Sequence, residues 1–259
     1  MSGARRATTH RPSLHWFLTE PVRGAMTFGA LPFAAPLLSR APRGDGHGVL
    51  LLPGLMADDT SNEPLRRYLA RLGHTTRGWG LGRNIGPTDV VLDGMPERLQ
   101  DLAAATGGPV SVIGWSLGGI YARELARDHP HLVRQVITMA SPFALVDPRQ
   151  SRAEYAFRRG SRLHARSDRV PQRDQLCRPI PVPSTALYSK SDGIVDWRAC
   201  VQEPAANREN VEVTCGHLGF GVDPLTLWVI ADRLAQPAHS WQPFRATGWA
   251  RAFYPAAAA

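Results

Sequence analysis

The stretch PVSVIGWSLGGIYARELA, residues 109 to 126, constrains the fold more than any other part of this 259-residue chain. Its first half, Val110-Ser111-Val112-Ile113, is a short β-prone run of the kind that fits a strand buried on both faces. From Ile120 to Ala126, apolar residues recur at helical spacing, with Arg123 and Glu124 expected to face outward. Only Gly114-Trp115-Ser116-Leu117-Gly118-Gly119 separates the two. So tight a turn forces its central residue into a strained backbone conformation, and glycines at 114 and 118 remove the Cβ atoms that would strike neighbouring backbone. Ser116 is then pushed out at the carboxyl edge of a sheet with a helix N-terminus beneath it, the Gly-x-Ser-x-Gly nucleophile elbow. A glycine-rich turn that only connects, or that binds phosphate, is the competing reading; no phosphate-loop lysine accompanies it.

The rest of the chain repeats this strand-then-helix rhythm. Val49–Leu52, residues 75 to 79, Val133–Ala140, Thr185–Ser189 and Val211–Thr214 read as strands. Asn62–Leu72, residues 90 to 105 and Leu225–Leu234 read as helices. Alternating β and α segments predict an α/β fold with a mostly parallel central sheet and helices on both faces. Residues 142 to 181 break the pattern and read as a short lid insertion, with eight arginines between Arg149 and Arg173. Those arginines suit a solvated face, or an anionic headgroup or coenzyme phosphate. The main domain is expected over residues 42 to 259, its tail draped on the surface. Residues 1 to 41 form an N-terminal extension that packs on the domain or flanks the site. Within it, Ala25–Ser39 is apolar but too short to span a bilayer, and two prolines interrupt it. It starts too far into the chain for an ordinary signal peptide. A flap over an apolar site and a membrane-surface contact are its other readings.

Charge and cysteine content narrow the setting. The net charge is +8, carried almost wholly by arginine, since Lys190 is the one lysine. No helix-turn-helix, zinc spacing or aromatic-and-basic stripe accompanies that charge, so nucleic acid is not expected as a partner, while mild attraction to an anionic surface is. Three irregularly spaced cysteines, Cys177, Cys200 and Cys215, argue against a disulfide framework and fit a reducing, cytoplasmic compartment.

A serine hydroxyl is a poor nucleophile at neutral pH and needs a general base, which needs an acid to fix its tautomer. On an elbow of this kind the chain order is serine, acid, histidine. Of nine histidines, only His217 follows a strand in the required place, between Gly216 and Gly219. Asp192 lies just past the preceding strand in a Ser-Asp-Gly turn. Asp196, four residues on, is its rival, although it is also placed to cap a following helix; Asp147 stands third. Two backbone N–H groups must meet the developing oxyanion: Leu117, after the nucleophile, and Leu55, in the loop after the first strand. Met56, Trp115, Leu218 and Phe220 supply apolar character near the site and are the candidate substrate contacts, pointing to an acyl chain.

The segments LLLPGLMADDTSNEPLRRYL, GWGLGRNIGP, IGWSLGG, YSKSDGIVDW and CGHLGFGVDP, taken in order, resemble the α/β-hydrolase superfamily, most nearly its bacterial esterase/lipase-like branch. The resemblance covers most of residues 45 to 235. It departs from common esterases at Pro53, where a histidine often precedes the oxyanion glycine. The resemblance implies two-step acyl transfer by Ser116, His217 and Asp192 on a small-molecule ester of medium or longer acyl chain, without metal or cofactor. An acyltransferase or thioesterase with the same triad, and a non-catalytic binding protein of this fold, are the alternatives. The sequence does not fix the oligomeric state.

Overall fold

The computed structural model describes residues 10–155, 157–158, 173–238 and 240–254. Strands β1 (Gly48–Leu52), β2 (Thr75–Gly78), β3 (Val110–Trp115), β4 (Val133–Met139), β5 (Ser184–Tyr188) and β6 (Arg208–Glu212) make one sheet in the order β2-β1-β3-β4-β5-β6. Every pairing is parallel. The helices are α1 (Leu14–Leu38), α2 (Asp59–Arg71), α3 (Asp89–Thr106), α4 (Leu117–Asp128), the one-turn α5 (Arg173–Leu176) and α6 (Pro224–Leu234).

The alternation of side chains along each strand divides the core in two. Leu50, Leu52, Val110, Val112 and Val136 face α3 and α4, where Leu99, Leu102, Ala122 and Leu125 cover them. Val49, Leu51, Ile113, Ile137 and Leu187 point the other way, against Leu65 and Leu69 of α2 and Leu227 and Ile230 of α6. A strand buried on both faces has little room for a polar side, which is why β1 reads as an unbroken apolar run and β3 is broken only by Ser111, whose hydroxyl meets the His47 ring. In β3, Ile113 lies opposite Leu51 on one side and Ile137 on the other, placing residues 114 to 116 at the middle of the carboxyl edge. Because all strands run parallel, the loops after β1, β4, β5 and β6 converge on that same edge.

The structure departs from the sequence expectations in four places. The last strand is Arg208–Glu212 rather than 211–214; it is the sheet's edge strand, where charged residues are tolerated and apolar patterning is weak. Arg123 is buried, not outward-facing: its guanidinium lies over the Phe143 ring and donates to Gln202 Oε1 and the Arg178 carbonyl. The N-terminal apolar stretch belongs to the 25-residue helix α1, which holds Pro21, Pro32 and Pro36. It packs against the His217–Gly219 turn and α6. None of the helices among the described residues is long and apolar enough to cross a membrane. Finally, the insertion carries a 3-10 turn at Pro148–Gln150 and α5, and Ser151 bridges to Val195. Its central arginines, Arg159 to Arg169, lie outside the described residues.

Candidate active site

Ser116 sits between β3 and α4 with φ 52° and ψ −116°, a conformation L-residues rarely adopt. Close packing enforces it. A Cβ on Gly114 would fall 2.2 Å from the Gly118 carbonyl oxygen, and one on Gly118 would fall 2.3 Å from that of Leu52. The Ser116 N–H donates to the Met139 carbonyl (2.8 Å), and the Ser141 hydroxyl donates to the Ser116 carbonyl (2.6 Å). The turn is thereby tied to β4 on both sides of the serine.

Asp192 and His217 meet. His217 Nδ1 lies 2.7 Å from Asp192 Oδ2, and both residues are buried. The other carboxylate oxygen of Asp192 accepts from the Ile194 and Val195 N–H groups, at 2.8 Å each, which fixes its plane. Asp196 instead accepts from the Arg198 N–H and pairs with the Arg198 guanidinium, capping the 3-10 turn Trp197–Cys200. Asp147 caps Pro148–Gln150. Burial by itself lowers the His217 pKa, but the charge and hydrogen bond of Asp192, with the charge of Glu20, outweigh it and leave the imidazole above its ordinary value. Among the described residues, no hydrogen bond joins Ser116 to His217. Such contacts are often long in unliganded sites and tighten when substrate fills the space between them.

The loop after β1 lies directly on the elbow: a Cβ on Gly54 would be 3.3 Å from that of Ser116. Neither the Leu55 nor the Leu117 N–H donates to a protein acceptor among the described residues, whereas the Met56 N–H is bonded to the Asn84 carbonyl at 2.6 Å. Asn84 is fully buried, and its Nδ2 donates to the Pro53 carbonyl at 2.8 Å. It thus braces the segment where the chain departs from common esterases. The sequence signal for Asn84 was only its place as a lone amide in a glycine-rich loop.

Ser116 opens onto a cavity of about 280 Å³ that runs along α4 past Leu117, Ile120, Tyr121, Glu124 and Leu125, with Leu92 and Met95 of α3 opposite. Phe157 and Leu176 of the insertion also line it. None of the four residues read from the sequence as substrate contacts lines this cavity. Trp115 and Phe220 are buried in the core on the other face of the sheet. Trp115 lies beside the His217 ring, with centroids 6.3 Å apart. Met56 and Leu218 are exposed. Strand alternation explains the correction: Trp115 and Ser116 are adjacent, so the side chain before the serine points to the opposite face.

The remaining titratable clusters lie elsewhere. Asp45, His47 and His74 gather at the amino edge of the sheet, where Arg134 donates to Asp45, His47 Nε2 meets the Ser111 hydroxyl, and the His74 ring packs edge-on against His47. The three cysteines form no disulfide.

Comparison with known proteins agrees with this architecture. Lipase B of Aspergillus fumigatus superposes with a TM-score of 0.57 at 16% identity, over 74% of this chain and 52% of the lipase. A thioesterase domain from the curacin biosynthetic pathway gives 0.52 at 13% identity, over 74% and 92%, and the pyrethroid hydrolase PytH 0.51 at 18%, over 75% and 100%. At such identities the likeness is one of fold. The biotin biosynthesis bifunctional protein BioHC of Teredinibacter turnerae is 39% identical over 62 residues, 24% of this chain and only 10% of that protein. Residues 49–257 match the Alpha/beta hydrolase family as a whole. With the elbow, the parallel sheet and a match running from β1 into the tail, the chain belongs to the alpha/beta hydrolase family.

Proposed function

We propose that this hydrolase cleaves carboxylic esters of medium or longer acyl chains through Ser116, His217 and Asp192. The observation that carries the reading is the 2.7 Å His217–Asp192 contact at the same sheet edge as a strained serine that opens onto an apolar cavity. In this reading His217 Nε2 takes the Ser116 proton as Oγ attacks the ester carbonyl. The Leu55 and Leu117 N–H groups hold the oxyanion, each such donor being worth roughly 3 kcal/mol of barrier. His217 then protonates the leaving alcohol, and water, deprotonated by the same imidazole, releases the acid from the acyl-enzyme. The acyl chain lies along α4, between Ile120 and Met95.

A fluorophosphonate tests this directly. Label should map to Ser116 and be lost in His217→Ala; a folded wild-type protein that takes no label would overturn the reading. An alcohol acceptor that outcompetes water for the acyl-enzyme would reassign the chemistry to acyl transfer. We also propose that the outer face of α1, where Leu18, Val22, Met26 and Phe33 are exposed, brings the enzyme to an anionic lipid surface.

A further inference from the structure

We propose that Glu20, on the N-terminal helix, is a positioning residue that locks the loops of the acid and the base into one unit. It rests on the ester-hydrolase reading for the roles of those two residues, but the contacts stand by themselves. Glu20 is 2% exposed. Its Oε1 accepts from the Gly193 N–H at 2.8 Å and from the His217 N–H at 2.9 Å, and its Oε2 accepts from the Leu218 N–H at 3.1 Å. Gly193 follows Asp192 directly. One carboxylate therefore grips the backbone beside both partners of the His217–Asp192 pair, across sequence separations of 173 and 197 residues.

The surroundings are built for this contact. A Cβ on Gly193 would fall 2.4 Å from the Phe17 nitrogen, and one on Gly216 would fall 2.8 Å from Glu20 Oε2. Glycine at 193 lets the helix backbone reach the loop of the acid, and glycine at 216 leaves room for the Glu20 carboxylate beside the loop of the base. Arg23, one turn on, lies 3.6 Å from Glu20 and donates to the Ser191 carbonyl and hydroxyl, each at 2.8 Å. Ser191 Oγ in turn lies within hydrogen-bonding distance of the Thr214 and Cys215 carbonyls, so the two loops are tied a second time. A buried carboxylate without partners is strongly disfavoured; three N–H donors and a guanidinium make this one tenable. Glu20 touches backbone rather than the imidazole ring, so it acts through the geometry of the loop. Its charge also reaches His217: Asp192 and Glu20 are the two anions acting on the imidazole, with Arg23 behind Glu20.

Two substitutions and two readouts test the role. Glu20→Gln keeps an accepting oxygen but removes the charge and presents an NH2 group to the amides. Glu20→Ala removes everything. Ester turnover and its pH profile give one readout, and the His217 ring titration, followed by NMR in the intact protein, gives the other. We expect kcat to fall about 100-fold in Glu20→Ala with KM little changed, and by less in Glu20→Gln, on the scale by which small misplacements slow oriented catalysis. In Glu20→Gln the imidazole should titrate at lower pH. Leu31→Ala, which thins the packing of the same helix away from the loops, should lower the melting temperature without either effect. If wild type turns over ester and Glu20→Gln leaves both kcat and the titration unchanged, the positioning role is wrong. A titration shift in a chain whose wild type takes no fluorophosphonate would sink the ester reading and leave the brace standing. If Glu20→Ala does not fold, Glu20→Gln alone decides.

Discussion

Asp192 and Asp196 are both buried carboxylates four residues apart in one loop, yet only the first reaches His217. What separates them is where their hydrogen bonds go: Asp192 spends one oxygen on two loop amides and keeps the other for the imidazole, while Asp196 is used up capping a 3-10 turn and holding Arg198 and Gln150. Asp192→Asn should therefore lower turnover by about 10⁴-fold, the scale seen when a triad acid loses its charge. Asp196→Asn should leave turnover within a few-fold and change stability by less than about 1 kcal/mol, read from denaturant midpoints, because asparagine caps about as well as aspartate and the Arg198 pair it loses is partly exposed. Comparable losses of turnover in the two variants would remove the distinction. The raised His217 pKa adds a pH prediction. The base must be neutral to act, so the acid limb of kcat/KM should lie above the unperturbed value of about 6.5 and move down in Asp192→Asn. Because the folded state favours the protonated ring, this group's contribution to stability is complete below about pH 6.5 and is lost as pH rises through the higher folded value.

The elements were legible to different depths, for physical reasons. The elbow is dictated by backbone crowding, and crowding needs glycine, so Gly114, Gly118 and Gly119 announce it in the sequence. Gly118→Ala puts a methyl 2.3 Å from the Leu52 carbonyl oxygen, backbone that cannot step aside. We expect a loss of about 3 kcal/mol or more, measured by urea unfolding, together with a loss of fluorophosphonate labelling. Gly107→Ala would serve as the contrast: its Cβ meets nothing within 4 Å, and only its φ of 70° disfavours alanine. Strands β1 to β5 and helices α2 to α4 and α6 were readable because apolar periodicity marks elements buried on known faces. Helix α1 was not. Its three prolines each remove a helical hydrogen bond, and its solvent face is as apolar as its buried one, so neither propensity nor periodicity identifies it. Glu20 interrupts an apolar stretch in the sequence, and nothing local reveals that its partners lie near residues 193 and 217. The cavity is illegible in the sequence for a related reason. Its lining comes from the flanks of α3 and α4, where Ile120, Met95 and Leu92 look like ordinary core positions.

At the scale of the molecule, α1 joins two surfaces that the rest of the fold keeps apart. Its inner face carries Glu20 and Arg23, the only charged side chains in the helix, both turned toward the loops of the candidate site. Its outer face is left without charge, and Leu14, Leu18, Val22, Met26 and Phe33 stand exposed along it over roughly 28 Å of helix. Gly24, on the inward side of the same helix, abuts Leu218, next to His217, so α1 as a whole rests on the loop of the base. Exposed Arg11 precedes the helix, and exposed Arg40 and Arg43 follow it, on a chain of net charge +8. An antiparallel second copy on this face would bring those cationic ends together, whereas an anionic bilayer matches both the apolar stripe and its flanks. Each such side chain withdrawn from water is worth roughly 1.5–3 kcal/mol when fully buried, so even shallow insertion of four or five favours association. The protein should co-sediment with phosphatidylglycerol vesicles, bind phosphatidylcholine vesicles less, and lose affinity for the anionic ones as salt rises. Leu18→Glu with Met26→Glu should abolish sedimentation while hydrolysis of a soluble short-chain ester continues at the wild-type rate. Wild-type protein that stays in the supernatant at low salt would overturn the lipid reading, and a dimer dispersed by the same two substitutions would assign the stripe to another copy of the chain.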